Sequence, residues 1–327
     1  MKPLALHGHE KPITQIKYNR DGDLLFSASK DRVCNVWYSI NGERLGTFAG
    51  HGGAVWCLDV DWTSEKFISG AADNTLKYWN CETGACLGTK TMKSAIRTCS
   101  FSYCGNLIAY TTDSTMGMTC EICIVDTRTP GAFNPDEFVL REDIERSRVN
   151  ALLWASLDQY MIAGHDRGDI SKLDIRMGGK EVEVVNDHGP KTIMDLQLNK
   201  QGIFFISACK DHTSKLYDVK TLKNLKTYKT ERPVNSASIS PDDLTAIVGG
   251  GEEAMTVTQT SSALGKFDSR FFHTVFECEF ARLKGHFGPI NSLAYHPDGQ
   301  SFSSGGEDGY VRIQNFDPSF FTFKLEY

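Results

Sequence analysis

Short runs in which apolar and polar residues alternate recur along the whole chain, and the clearest lies near its C-terminal end. Ile290-Asn291-Ser292-Leu293-Ala294-Tyr295 predicts a strand with one buried face. Pro297-Asp298-Gly299 predicts a tight turn after it, because Pro presets φ and Gly accepts positive φ. A run of small residues predicts a second strand, Glu307-Asp308-Gly309 a second turn, and Tyr310-Val311-Arg312-Ile313 a third strand. Three short strands joined by tight turns leave sheet faces uncovered, so such a unit needs neighbours of its own kind.

The neighbours are weaker copies of the same pattern. Gly8-His9, Gly50-His51, Asp187-His188 and Gly285-His286 each open a copy. The acid of the second turn follows the His by 22 residues at Asp31, Asp73 and Asp308, and by 23 at Asp211. Six residues beyond the acid stand Trp37, Trp79 and Tyr217, with Gln314 in the fourth copy. His9 and His51 are 42 residues apart. A period in the low forties, with Gly-His and an aromatic near an acid, resembles the WD40 repeat. The chain therefore reads as all-β, a seven-bladed WD40 β-propeller in one domain. The expected blades span 12–48, 54–90, 95–140, 149–185, 192–228, 234–282 and 289–317. A strand at 3–7 is expected to complete the last blade, since an open propeller would leave two sheet edges exposed. Blade three lacks Gly-His, and the charged stretch between Thr129 and Arg148 reads as a long surface connection. Gly249-Gly250-Gly251 is no phosphate loop, because the Gly-Lys-Ser/Thr ending is missing.

The repeated polar residues read as scaffold. A buried His can donate to the turn Asp and to a strand hydroxyl four residues before it, and that hydroxyl can bond the Trp ring nitrogen. The sets are His9, Ser27, Asp31 and Trp37; His51, Ser69, Asp73 and Trp79; His188, Ser207, Asp211 and Tyr217; and His286, Ser304 and Asp308. Each bond contributes about 1 kcal/mol, whereas an orphaned buried group costs about 1–3 kcal/mol. Only His165-Asp166 stands off this pattern as a tempting acid–base pair, and it reads as a loop replacement. Cys120 and Cys123, three apart on a strand, point to opposite faces and make no metal pair. No enzyme activity, cofactor, metal or small-molecule substrate is expected.

Charge narrows the partners. The net charge of −6 in 327 residues argues against a general phosphate-binding surface, though not against a local basic patch. Ten scattered cysteines and an N-terminus without a signal-like apolar run suggest a reduced, cytoplasmic compartment, and no run is long enough to span a membrane.

Three segments carry a more specific likeness: MKPLALHGHEKPITQIKYNRDGDLLFSASKD, GHGGAVWCLDVDW, and GKFDSRFFHTVFE followed by KGHFGPINSLAYHPDGQSFSSGGEDGYVR. They resemble the family of i subunits of eukaryotic translation initiation factor three over essentially the whole chain. Cys278 and Asp187-His188 depart from the pattern expected of that family. The resemblance implies a non-catalytic scaffold that binds a C-terminal helix of subunit b, and subunit g, supporting mRNA recruitment and scanning on the small ribosomal subunit. Direct RNA contact is not expected as the main role. The topology gathers Asp211, Glu231, Glu252 and Glu253 on the Gly-His face, where basic residues flanking the subunit b helix are expected to dock. The alternative is a signalling adaptor or a substrate receptor of a cullin ubiquitin ligase. Such receptors carry Trp-Asp-x-Arg, and here Val125-Asp126-Thr127-Arg128 and Leu173-Asp174-Ile175-Arg176 come near it.

Overall fold

Seven four-stranded antiparallel sheets form the blades of a β-propeller. The computed structural model describes residues 3–115, 117–251 and 267–322. Blade one shows the plan: Ile13–Tyr18 innermost, then Leu24–Ser29, Val33–Tyr38 and, outermost, Arg44–Ala49. The following blades span 55–91, 96–144, 149–185, 193–229 and 234–284. The last is built from Ile290–Tyr295, Ser301–Gly306, Val311–Asn315 and the N-terminal strand Leu4–Leu6. Among the described residues no helix is long and apolar enough to cross a membrane.

Burial follows strand position. The second strands are buried nearly throughout, being covered on both faces, whereas the outer strands Arg44–Ala49 and Cys86–Thr91 expose most of their length. The core lies between blades. Phe26 and Phe48 of blade one pack with Leu58, Phe67 and Trp79 of blade two, and the Phe48 and Phe67 rings stack at 4.6 Å. Each apolar layer is thus shared by neighbours, which is why one blade cannot bury its own faces.

The inner strand of every blade carries a β-bulge near its start. A bulge re-aims a side chain. The residues skipped by the register are Thr14, Trp56, Arg97, Asn150, Met194, Asn235 and Asn291, and all of them line a central channel of about 1330 Å³.

Closure has two parts. Leu4, Ala5 and Leu6 pair antiparallel with Ile313, Arg312 and Val311. Leu6 is buried with Ile13, Trp37 and Val311. Gly42, at φ 72°, lets the turn of blade one approach this strand, and a Cβ there would lie 2.2 Å from Leu6 Cδ2. Polar stitches join the same seam. Ile16 N donates to Ser292 Oγ at 3.0 Å, Asn291 Nδ2 to Ile13 O at 2.8 Å, and His296 Nε2 to Gly22 O at 2.7 Å. The Tyr18 and Ser303 hydroxyls also bond across it.

Two segments pack more closely than their sequences suggest. The connection after blade three's third strand, expected to be a surface loop, docks on the outer wall of blade two and then supplies the outer strand Leu140–Ile144. Phe133 stacks on Tyr78 at 5.2 Å, over Gly88, where a Cβ would lie 2.6 Å from the Phe133 ring. The fully buried Lys90 donates to the carbonyls of Asn134 and Glu137 under the Phe138 ring. These acceptors replace the water that a buried ammonium loses. At the other end of the chain, a short helix, α1 (Pro318–Thr322), lays Phe320 on Phe316 at 4.2 Å and near Phe271, covering the seam between blades six and seven.

Candidate functional site

Four buried histidines lie on the face where the Gly-His loops emerge. In blade one, His9 Nδ1 is 2.8 Å from Asp31 Oδ2 and Nε2 is 2.8 Å from Ser27 Oγ, while Trp37 Nε1 donates to Ser27 Oγ at 2.8 Å. Blade two repeats this with His51–Asp73 at 3.1 Å, His51–Ser69 at 2.7 Å and Trp79–Ser69 at 2.9 Å. The Asp fixes the direction of the chain of bonds. An indole N–H only donates, so the Ser oxygen accepts from the Trp; a carboxylate only accepts, so a neutral ring carries its proton on Nδ1 and its Nε2 accepts from the Ser hydroxyl. A neutral ring so placed donates to the Asp and accepts from the hydroxyl.

Burial supports the neutral form. It lowers the pKa of His51 more than Asp73 raises it, and lowers that of His286 more than Asp308 raises it. The acids are held ionised. Burial alone would raise the Asp211 carboxyl, but bonds from His188 and Thr213 outweigh it and hold it at about 2. Asp31, Asp73 and Asp308 are lowered in the same manner. Both ring nitrogens are thereby occupied, and no imidazole lone pair is left to take a proton from a substrate.

The other two sets differ at the aromatic end. In blade five, His188 bonds Asp211 at 2.9 Å and Ser207 at 2.7 Å, and Ser207 Oγ also lies 3.3 Å from Lys215 O. Tyr217 packs flat on Phe205 instead of supplying the N–H of a Trp. In blade seven, His286 is 3.0 Å from Asp308 and 2.7 Å from Ser304, with Gln314 where Trp would stand. Arg312 Nη1 completes this set, 2.8 Å from Asp308 Oδ2 and 2.6 Å from His286 Nδ1.

The remaining chemical candidates dissolve on inspection of their contacts. His165 bonds Ser171 Oγ through Nε2, and its Nδ1 and Asp166 Oδ1 are each buried without a partner, so the two do not form a dyad. His188, Cys209 and Asp211 place ligand atoms within 4.8 Å of one another. Yet the Cys209 thiol accepts from Asp211 N and contacts Lys191 O, as Ser29 Oγ does with Asp31 N and Lys11 O in blade one. Burial pushes that thiol up to about 12, so it offers no thiolate. Cys120 and Cys123 enter different apolar layers, one on each face of blade three.

The rim acids have different fates. Asp211 is committed to His188 and to Thr213 Oγ1, which donates to it at 2.6 Å. Glu231 is exposed and lies 3.3 Å from Arg270 Nη2 and 3.6 Å from Arg282 Nη2; the Arg270 contact is the main cause of its lowered pKa. Both arginines also reach Glu279, so the wall of blade six carries a balanced cluster of four charges. Glu252 and Glu253 lie outside the described residues. Arg128 and Arg176 each fold back onto the Asp two residues earlier, at 2.7 and 3.1 Å.

Comparison with known proteins gives one consistent answer. The EIF3I family model matches residues 1–326. Eukaryotic translation initiation factor 3 subunit I of Nematostella vectensis is 57% identical over 327 residues, covering 100% of both chains. That of Drosophila melanogaster is 56% identical over 322 residues, 98% of each chain. That of Bombyx mori is 54% identical over 328 residues, 100% of this chain and 99% of the other. The chain belongs to the EIF3I family. It is thus a translation initiation factor subunit by family.

Two arginines of this EIF3I chain escaped the sequence reading. Arg270 and Arg312 occupy the same third-strand position as Asn35, Lys77 and Lys215, two residues before the site of the Trp. Asn35 Nδ2 also reaches His9 Nε2, at 3.1 Å. The signal was a recurrent polar residue between two buried ones, which alternation alone assigns to solvent.

Proposed function

We propose that this EIF3I chain is a non-catalytic, cytoplasmic scaffold subunit of the initiation factor three complex. It binds a C-terminal helix of subunit b and binds subunit g, and so supports mRNA recruitment and scanning on the small ribosomal subunit. The observation that carries this reading is similarity over the full length to proteins named as subunit I. The occupied ring nitrogens of the four histidine sets are consistent with a scaffold, since such histidines serve packing and not turnover. The subunit b helix docks at the rim between blades five and six. There, among the described residues, Glu231 is an exposed acid, and it carries the Arg270–Arg282 cluster at that rim. Asp211 shapes that rim from within its own blade.

Affinity capture of the tagged chain from cytosol, with identification by mass spectrometry, tests this reading. Subunits b and g are expected among the captured proteins, and a synthetic C-terminal helix of subunit b should displace the subunit b interaction. Capture of a cullin ligase adaptor in place of initiation factor subunits would overturn it.

A further inference from the structure

The bulged residues at the channel mouth divide into two groups. Thr14, Asn235 and Asn291 each donate to the first residue of the next inner strand: Val55 O at 2.7 Å, Ile290 O at 2.9 Å and Ile13 O at 2.8 Å. Asn150 stands at the same position in blade four, but its Nδ2 is buried with no partner. The Nε of Arg148, which leads into blade four, is also buried without a hydrogen bond, while Arg97, the bulged residue of blade three, has its Nε 3.3 Å from Asp113. All three side chains line the channel. Buried donors in folded proteins are nearly always satisfied, so the two orphans, Arg148 Nε and Asn150 Nδ2, on one stretch of wall beside Arg97 point to something that accepts from them.

Charge identifies the acceptor. The two guanidinium groups share one acid, Asp113, at 3.3 and 3.5 Å. Burial lowers the pKa of Arg97 more than Asp113 raises it, and Arg148 lowers it further. Lys30 and Lys210 also line the channel, Lys30 paired with Glu307 at 3.1 Å. The Trp56 ring lies 5.1 Å from the Arg97 guanidinium and walls the site on one side. A concentrated positive spot inside a chain of net charge −6 is the local basic patch that overall composition conceals. Guanidinium forks match oxygen pairs of an oxyanion, and a tetrahedral one offers enough oxygens for all three donors.

We propose that the channel mouth at blades three and four is an oxyanion site for a phosphate group, held by Arg97, Arg148 and the Asn150 amide. The site lies in the channel, apart from the rim of blades five and six, and does not depend on the partner reading above. Titration calorimetry of the full chain with inorganic phosphate tests it. One saturable site per chain is expected, weakened at least about tenfold in Arg97→Gln/Arg148→Gln. Lys200→Gln, at the opposite mouth, should leave binding unchanged. If the double Gln variant fails to fold, Arg97→Lys/Arg148→Lys keeps the charges beside Asp113 while removing the forks, and should also weaken binding. Absence of saturable binding, equal binding by the Lys pair and the native chain, or equally tight binding of acetate would each overturn the proposal.

Discussion

At the residue scale, the histidine sets turn a polar residue into a packing element. His51 touches Asp73, Ser69 and, through Ser69, Trp79, so it ties three strands and a loop of blade two. His51→Ala should lower stability by about 2–4 kcal/mol, because it leaves buried polar atoms without partners. Denaturant unfolding measures this. A variant that stays as stable as the native chain yet loses partner binding would make His51 a contact residue instead. The same sets make the fold acid-sensitive. His51 and His286 have pKa values below 6.5 in the folded chain. As pH falls below that value, the unfolded chain takes up protons that the folded chain refuses, so stability drops. Asp211 adds a second loss, which begins as pH nears 3.8 and is complete below its folded value of about 2. The urea midpoint should therefore fall between about pH 7 and about pH 5, and His286→Gln should reduce that fall. A midpoint that does not change over this range would refute the assignment.

At the element scale, the closing strand and the polar stitches share one task. Leu6 is buried, and its burial contributes about 1.5–3 kcal/mol. Deleting residues 1–6 should lower the melting temperature and open the last blade to protease. The ring should nevertheless hold, because Ser292, Asn291, His296 and Ser303 still join blade seven to blade one. Adding Ser292→Ala to the deletion should lower the melting temperature further than the sum of the separate changes. An unchanged melting curve for the deletion alone would mean that Leu4–Leu6 contributes nothing to closure.

The strands themselves were legible because their signal is local. Alternation over six residues and a turn dipeptide can be read without knowing the neighbours. The His, Ser and Asp spacings were legible for the same reason, since repetition at a fixed period carries them. Lys90 was not legible, because its partners are carbonyls 44 and 47 residues away on a connection with no periodicity. Arg312 was missed because it joins its set at the His–Asp end, from a position on the strand two residues before that of the Trp. Asn150 looks like Asn235 and Asn291 in sequence, and only the missing carbonyl contact sets it apart.

At the scale of the whole molecule, charge is arranged against the average. The chain is acidic, yet blade six carries arginines on its wall and blades three and four carry them in the channel. Charged rims speed encounter and set register more than they set total affinity. Glu231→Lys should leave the fold intact, since Glu279 still holds both arginines. It should weaken binding of a basic-flanked subunit b helix, most at low salt, whereas Asp242→Lys on the opposite face should do less. Equal binding by native chain and Glu231→Lys at low ionic strength would remove this rim from the partner surface.

The pairing of Leu4–Leu6 with Val311–Ile313 also sets an order in time. Leu4–Leu6 leaves the ribosome before the other strands described here, and its partner strand leaves last among them. At about 5–20 residues per second, it waits on the order of tens of seconds for its partner to be made. Through that wait the nascent chain carries an unpaired edge, able to join any other unfinished sheet nearby. A strand of three residues offers little for such a stranger to hold. Its brevity, which weakens the final ring, protects the growing one.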